Sequence, residues 1–185
     1  MSINRRTIAL ANPTLSEALL RRKMNHQVYL LLGSNLGDRT QILEGAKAFL
    51  TARCGRVLNA SQVYETAAWG KEDQPSFLNQ ALLLETGLSP EEVLAVCLQS
   101  EQAAGRERIE RWGARTLDVD ILFYDDLELD IPGLHIPHPA LPQRRFALLP
   151  MADIAPDFVH PILHKSIKQL LDECPDPLAV TPFQQ

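Results

Sequence analysis

The chain has 185 residues, of which 45% are hydrophobic and 22% are charged, and its formal net charge is −5. This length and balance predict one soluble globular domain, and the negative charge argues against a general nucleic-acid or membrane-binding protein. The three cysteines are far apart and do not follow a metal-ligand spacing, so we expect reduced thiols in a cytoplasmic protein.

Residues 1–27 differ in composition from the rest of the chain. They contain four arginines and one lysine but a single acid, Glu17. Such a composition occurs in organelle transit peptides, and it also fits an upstream extension before a start at Met24. We favour the extension, and therefore place the domain at residues 28–174, followed by a loose tail at 175–185.

The first predicted strand is the continuous apolar run 28–32, which is typical of a buried strand. It ends in a glycine-containing turn at 33–38. Such a turn between a strand and a helix can hold phosphate, although the lysine of a phosphate-binding P-loop is missing. Asp38 predicts the N-cap of a helix over 39–53.

Two further strands are predicted at 57–65 and 77–86, with a polar loop over 66–75 between them. The loop carries Trp69, which either closes over a flat ligand or packs locally. In the second strand, Phe77 and Asn79 fall on the same face. A ring beside an amide suits a heteroaromatic ligand, but the same pair also occurs on ordinary strand faces.

A second helix is predicted from its start signal, with Ser89 at the N-cap, Pro90 at the first helical position and Glu92 at the third. It runs to about Ala104. Glu101 lies near its C-terminal end, where a negative charge is unfavourable to the helix dipole. We therefore expect Glu101 to have a partner elsewhere in the fold.

The strand that follows, 117–123, alternates apolar residues with Asp118 and Asp120, so both carboxylates point to one face. Aspartate is a poor strand former, and two carboxylates repel unless a cation lies between them. Four arginines precede or begin this strand: Arg106, Arg108, Arg111 and Arg115. Acids that bind divalent metal beside guanidinium groups that bind phosphate suggest a metal–nucleotide site. An exposed polar strand face after a solvated loop would show the same pattern.

The remaining elements are short. A turn at Asp125 and Asp126 leads to a possible returning strand at 127–129, and the proline-rich segment 136–142 excludes a helix. Within it, His138 is either a nucleotide contact or a surface imidazole. Short helices are predicted at 143–151 and 166–171. The order β-α-β-β-α-β predicts an α+β, ferredoxin-like fold: an antiparallel sheet with helices on one face and extra C-terminal helical segments.

From residue 28 to about residue 161 the chain resembles the 6-hydroxymethyl-7,8-dihydropterin pyrophosphokinases of folate biosynthesis. The resemblance is carried by residues 33–38, 73–79 and 105–122, and by Pro137-His138-Pro139 with Arg144, Phe146 and Ile154-Ala155-Pro156. It implies transfer of the terminal diphosphate of ATP to the pterin's hydroxymethyl group, with release of AMP. It implies no obligate protein partner.

The resemblance also implies roles for individual residues. Asp118 and Asp120 would hold two Mg²⁺ ions with ATP, and Arg106 and Arg115 would join them in catalysis. The implied ATP-binding residues are Glu101, Arg106, Arg108, Trp112, Arg115, Ile121, His138 and Arg144. The implied pterin-binding residues are Gly33, Thr66, Ala67, Trp69, Phe77, Asn79, Asp118 and Phe146.

Some positions depart from the family pattern, among them Ala67, Ala114 and Ala140, and these leave the loop contacts open. Two other functions stay open on the residues alone. One is a non-catalytic ferredoxin-like binding module, which would not need paired acids beside arginines. The other is a nucleotidyltransferase, which also uses paired aspartates but places a Gly-Ser motif directly before them.

Overall fold

The sheet and helices are described from a computed structural model, which covers residues 25–68, 74–105 and 115–184. The elements in chain order are β1 (His26–Ser34), α1 (Arg39–Arg53), β2 (Arg56–Ala60), β3 (Tyr64–Thr66), β4 (Phe77–Thr86), α2 (Pro90–Ala103), β5 (Asp118–Tyr124), β6 (Leu129–Ile131), β7 (Leu134–Ile136), a 3₁₀ turn (Leu141–Gln143), α3 (Arg145–Ile154), α4 (Ile167–Asp172) and β8 (Val180–Pro182).

The main sheet has the strand order β5-β1-β4-β3-β8, with β2 also paired to β4. Every pairing in it is antiparallel. The second strand of a ferredoxin-like fold is here divided into β2 and β3, and the central position of β1 between β4 and β5 is that of the ferredoxin-like order. The predicted fold class is therefore confirmed.

Strand β1 is buried on both of its faces. Val28, Leu30 and Leu32 pack in the core that includes residues of α1 and α2. Tyr29 and Leu31 pack in a second core with residues of α3 and α4. This two-sided burial explains why β1 is a continuous apolar run. The C-terminal helices therefore form a further layer, on the sheet face opposite α1 and α2.

The predicted starts of α1 and α2 are confirmed, whereas the helix predicted at 143–151 is shifted to Arg145–Ile154 and follows a 3₁₀ turn. The helix predicted at 166–171 is found at Ile167–Asp172. Asp38 accepts a hydrogen bond from the Gln41 amide at 3.1 Å. Ser89 and Glu92 form a reciprocal capping box, with bonds of 3.3 and 2.7 Å. Capping residues are close together in the sequence, so these helix starts can be predicted without knowledge of the fold. No helix among the described residues is long and apolar enough to cross a membrane.

The predicted single strand over 57–65 is wrong, because the strand is interrupted at Ser61 and forms two shorter strands, β2 and β3. The Ser61 hydroxyl accepts a hydrogen bond from the Ala81 amide at 2.9 Å, and the Ser61 amide donates to the Ala81 carbonyl at 2.9 Å. A side chain thus replaces part of the backbone ladder. The predicted returning strand at 127–129 is also displaced: the hairpin lies between β6 and β7, in a separate two-stranded sheet.

Both predicted domain boundaries need correction. Strand β1 begins at His26, which pairs with Thr86, so the fold starts two residues before position 28. The tail predicted at 175–185 is not loose where it is described, because β8 pairs with β3 and the Phe183 amide donates to the Val63 carbonyl at 2.8 Å. The partners of β8 are distant in sequence, and its composition alone does not predict them.

Candidate active site

Three paired residues form a row across one face of the sheet. Gly33 of β1 lies opposite Asp118 of β5 on one side and opposite Asn79 of β4 on the other. A Cβ atom on Gly33 would lie 3.2 Å from Asn79 Oδ1, 3.8 Å from Phe77 and 4.0 Å from Asp118. Because Gly33 has no side chain, the sheet surface above it is open, and we call this surface the glycine floor. It separates the Asn79 amide from the Asp118 carboxylate.

The amide side of this floor is rigidly held. Asn79 is 2% exposed, and its Nδ2 donates to Thr66 Oγ1 at 3.0 Å. Thr66 is itself fixed by pairing with Phe77, whose half-buried ring borders the floor. Since Nδ2 is directed at Thr66, Oδ1 is the amide atom that faces Gly33. Ala67, next in the chain, is exposed.

The acid side contains both aspartates on the same sheet face, as predicted from the strand period. Asp118 lies opposite Gly33, and Asp120 lies opposite Leu31. Each carboxylate has a guanidinium neighbour: Arg115 Nη1 lies 2.6 Å from Asp118 Oδ2, and Arg144 Nη1 lies 3.7 Å from Asp120 Oδ2.

The positive charges of Arg144 and Arg115 do not fully offset the effects of burial and of Asp118 on the Asp120 carboxylate. Burial, together with the negative charge of Asp118, raises the pKa of Asp120 to about 7, although Arg144 and Arg115 act in the opposite direction. Its side chain is still 30% exposed, so a ligand can reach it. An additional cation beside the two acids would therefore be electrostatically favourable.

Glu101 supports the strand that carries the aspartates. It is 5% exposed, and its Oε1 accepts a hydrogen bond at 3.0 Å from the amide of Val119, which lies between Asp118 and Asp120. This is the partner that the sequence predicted for an acid at the end of α2. The side chain of Ile121 is buried in the core shared with α1 and α2, so a nucleotide contact there would use its backbone.

His138 lies at the bulge in β5. Its amide donates to the carbonyl of Leu122 at 3.0 Å, and its Nδ1 accepts from the Ala140 amide at 3.2 Å. Burial, followed by the positive charge of Arg144, lowers the pKa of His138 to about 4. The imidazole is therefore neutral at pH 7. Because Nδ1 accepts, the proton lies on Nε2, which can donate to a ligand.

Arg144 also connects the acids to an aromatic residue. Its guanidinium carbon lies 5.7 Å from the centre of the Phe146 ring, in the first turn of α3. The structure thus places Arg144, Phe146 and Asp120 next to one another, although they come from two distant segments. The predicted residues Trp69, Arg106, Arg108 and Trp112 lie outside the described residues.

The sequence did not reveal the importance of Asn35. This side chain is 2% exposed; its Nδ2 donates to the Pro75 carbonyl at 3.2 Å, and its Oδ1 accepts from the Arg115 amide at 2.8 Å. Asn35 therefore joins the turn after β1 to the segments that precede β4 and β5. A buried amide in a polar turn requires such partners, but the sequence does not identify them.

Fold and geometry together define a ferredoxin-like α+β domain with a candidate site on its sheet: an oriented amide, an open glycine floor and two acids with arginine neighbours. The family model described as 7,8-dihydro-6-hydroxymethylpterin-pyrophosphokinase (HPPK) matches residues 29–156. The chain belongs to this family, which confirms the resemblance found in its sequence.

Individual relatives agree with this assignment. The 2-amino-4-hydroxy-6-hydroxymethyldihydropteridine pyrophosphokinase of Methylorubrum extorquens is 45% identical over 134 residues, which is 72% of this chain and 85% of the relative. The Synechocystis protein of the same name is 42% identical over 158 residues, which is 85% of this chain and 80% of the relative.

Among solved structures, a Plasmodium falciparum HPPK-DHPS triple mutant has a TM-score of 0.65 and 19% sequence identity, and the match covers 80% of this chain. The present chain spans 44% of that solved chain. At this identity the similarity supports the fold, and the family assignment comes from the sequence relatives.

Proposed function

We propose that this chain transfers the terminal diphosphate of ATP to the hydroxymethyl oxygen of 6-hydroxymethyl-7,8-dihydropterin and releases AMP. The observation that carries the proposal is the row Asp118–Gly33–Asn79, in which a carboxylate and an oriented amide face one open floor. Membership of the pyrophosphokinase family supplies the reaction class. We also expect activity in the cytoplasm, without an obligate protein partner.

The amide side suits the pterin. Asn79 Oδ1 faces the floor and would accept a hydrogen bond from an N–H on the edge of the ring, while the bond from Nδ2 to Thr66 Oγ1 supports this orientation of the amide. Phe77 borders the floor and would stack on the flat heterocycle, with Phe146 on the α3 side. Gly33 leaves room for the ring to approach the sheet.

The acid side suits ATP with magnesium. Asp118 and Asp120 are oxygen donors, and their mutual repulsion makes a cation favourable at this position, so both fit Mg²⁺. When bound, two such ions would neutralise phosphate charge and orient the triphosphate. Arg115 and Arg144, with Arg106 and Arg108 from outside the described residues, would bind the remaining phosphate oxygens. His138 would donate from Nε2 to the nucleotide.

In the proposed reaction the pterin oxygen forms a bond to the β-phosphorus, and the bond from that phosphorus to the oxygen shared with the α-phosphate breaks. The hydroxyl proton leaves to water, and AMP departs. The side chains contribute mainly position and charge: the sheet aligns the two substrates, and the arginines stabilise charge on the transferred group.

A product assay tests this function. The purified chain is incubated with ATP, Mg²⁺ and the reduced pterin, and the nucleotides are separated by chromatography. We expect free AMP and pterin diphosphate, both dependent on the pterin. ADP would indicate transfer of a single phosphate, and inorganic pyrophosphate with AMP attached to the pterin would indicate nucleotidyl transfer. Either result contradicts the proposal.

Asp118→Asn provides the matched variant in the same assay. Removing one carboxylate charge from the acid side should lower magnesium-dependent AMP formation by about 10²-fold or more while the melting temperature changes little. Asp126→Asn, on an exposed turn, is the control and should behave like the wild type. Wild-type turnover by Asp118→Asn would refute the metal assignment.

A further inference from the structure

The chain continues beyond the family match at 29–156, and its last described residues return to the site. Residues 174–183, which we call the C-terminal strap, leave α4 and end in β8. Cys174 and Asp176 in the strap are buried, at 8% and 6% exposure. The strap makes three separate attachments, and each ends beside a residue of the proposed site.

The first attachment is to the start of α3. Arg144 occupies the N-cap position, but its side chain points to Asp120 and Phe146. The first-turn amide of Arg145 is satisfied instead by Asp176 Oδ2, at 3.1 Å. The Arg145 side chain returns two bonds, to the carbonyls of Asp176 at 3.0 Å and Cys174 at 3.2 Å.

This exchange gives α3 an N-terminal cap from a different part of the chain. A carboxylate at this end of a helix satisfies a free amide and also complements the helix dipole. Arg144, which occupies the N-cap position, has no acceptor with which to cap the helix, and its side chain instead contacts Asp120 and the Phe146 ring. Asp176 thus fixes the helical turn that presents Arg144 and Phe146 to the site.

The second attachment is to β3. Val180 pairs with Thr66, and Phe183 donates its amide to the Val63 carbonyl at 2.8 Å. Because hydrogen-bonded pairs alternate along an antiparallel ladder, Thr181 and Glu65 form another such pair. Pro182 falls between these two pairs, where a missing amide proton does no harm. Strand β3 is thereby paired on both sides, and it carries the Thr66 hydroxyl that orients Asn79.

The third attachment is through Arg39. Its guanidinium carbon lies 5.8 Å from the centre of the Phe183 ring. The same guanidinium donates to Glu65 Oε1 at 2.7 Å and to the Ser76 carbonyl at 2.9 Å. Ser76 directly precedes Phe77, the first residue of β4. Phe183, at the end of the strap, therefore contacts the same guanidinium that binds the segment leading into β4.

We propose that the C-terminal strap positions both halves of the site: Asp176 acts on Arg144 and Phe146, and β8 acts on Thr66 and, through it, Asn79. This inference rests on the proposed function for the identity of the substrates. The strap residues act through their neighbours and contact neither substrate. Losing one attachment should therefore impair one half of the site selectively, which a general loss of stability would not do.

Two variants separate the two halves. Thr181→Pro removes the amide that pairs with Glu65, and Thr181→Ala keeps that amide and is its matched control. Asp176→Ala removes the cap of α3, and Asp176→Asn, which still offers a side-chain oxygen, is the conservative rescue. Steady-state AMP formation gives kcat and KM for each substrate. Hydrogen exchange of the segments 64–68 and 144–148 reports the positioning without any substrate.

We expect Thr181→Pro to raise the KM for the pterin roughly tenfold and to speed exchange at 64–68, with the KM for ATP nearly unchanged. We expect Asp176→Ala to lower kcat and raise the KM for ATP by a similar factor through Arg144, with a smaller rise in the KM for the pterin through Phe146. It should also speed exchange at 144–148 and be partly rescued by Asp176→Asn. A chain ending at Ala179 should combine the pterin defect with loss of the Phe183 contact.

Folded variants that keep both KM values, kcat and both exchange rates within twofold of the wild type would overturn the strap proposal. Equal impairment of both halves by either point variant would also overturn it, because that pattern indicates a general loss of stability. Absence of AMP formation by the wild-type chain would count against the proposed function instead, and the exchange experiment would then still decide whether the strap positions the two segments.

Discussion

Gly33 is the residue whose role depends most directly on the fold. Its neighbours across the sheet are Asn79 and Asp118, and a Cβ would lie within 3.2 Å of the amide oxygen and 4.0 Å of the acid's Cβ. The sequence indicates only that a glycine follows a buried strand. What the glycine separates becomes clear from the pairing of three strands, since Asn79 and Asp118 are distant from it in the chain.

Gly33→Ala should therefore place a methyl group on the open floor. We expect the KM for the pterin to rise roughly tenfold or more, because a single added carbon in a fitted pocket has an effect of this size. Steady-state kinetics of AMP formation measures this change.

The matched control is Gly45→Ala in α1, where an added Cβ meets nothing within 4 Å. It should leave the kinetics unchanged and stabilise the helix by about 0.5–1 kcal/mol. If Gly33→Ala keeps the wild-type KM for the pterin, the ring does not lie over Gly33.

Local rules predicted part of this site from the sequence. The shared face of Asp118 and Asp120 follows from the two-residue period of a strand, which needs no knowledge of the fold. The role of Asn35 did not follow, because its partners Pro75 and Arg115 are 40 and 80 residues away. The partners of Asp176 and Arg145 were missed for the same reason, since they are 31 residues apart.

At the scale of helices and strands, predictions succeeded where the signal lies within one element. The capping box at Ser89 and the N-cap at Asp38 fixed two helix starts. The break at Ser61 was not predicted, because it depends on the Ala81 backbone across the sheet. Strand β8 has too few residues for a periodic pattern, and only its pairing with β3 defines it.

The contact between α1 and β3 gives a prediction about acid stability. Hydrogen bonds from Ser76 and Arg39 to Glu65, 2.6 and 2.7 Å long, hold the pKa of this carboxyl below its ordinary value of 4.5. A carboxyl whose pKa is lower in the folded state stabilises the fold above its unfolded pKa. That contribution is lost as the pH falls through the folded pKa.

Glu65→Gln should therefore lower the free energy of unfolding at pH 7, and the difference from wild type should shrink as the pH falls below 4.5. Urea titrations at pH 7 and at pH 3 measure it. Glu85→Gln is the control, because Glu85 has one longer contact of 3.2 Å with the largely exposed Arg56, and such surface pairs contribute little. A difference for Glu65→Gln that persists unchanged at pH 3 would contradict this account.

At the scale of the whole molecule, the described chain forms three layers: α1 and α2, the sheet, and the C-terminal helices. The order of elements predicted the first two layers. The third layer was predicted only as extra helical segments, because the sequence of residues 145–172 does not indicate which face of the sheet these helices cover. The apolar run of β1 on both faces was the one indication that a further layer existed.

The extension predicted for residues 1–27 is testable by deletion, because β1 begins at His26 and the family match begins at residue 29. A chain that starts at Met24 should keep the wild-type melting temperature and the wild-type rate of AMP formation. Thermal unfolding and the product assay measure these two quantities. A fall in either would show that the first residues belong to the working domain.

The outer strands of the sheet also affect the tendency of the protein to aggregate at high concentration. As far as the structure describes them, each outer strand has a feature that hinders further pairing. On β5 the Val119 amide already donates to Glu101, and on β2 a bulge between Val57 and Asn59 distorts the strand. Strand β8 is short and contains Pro182. Unpaired, flat strand edges recruit strands from other molecules and start aggregates, and these three features oppose such recruitment. The strap that closes the β3 edge would then protect the enzyme from self-association as well as from misalignment, and shortening it would expose a new edge.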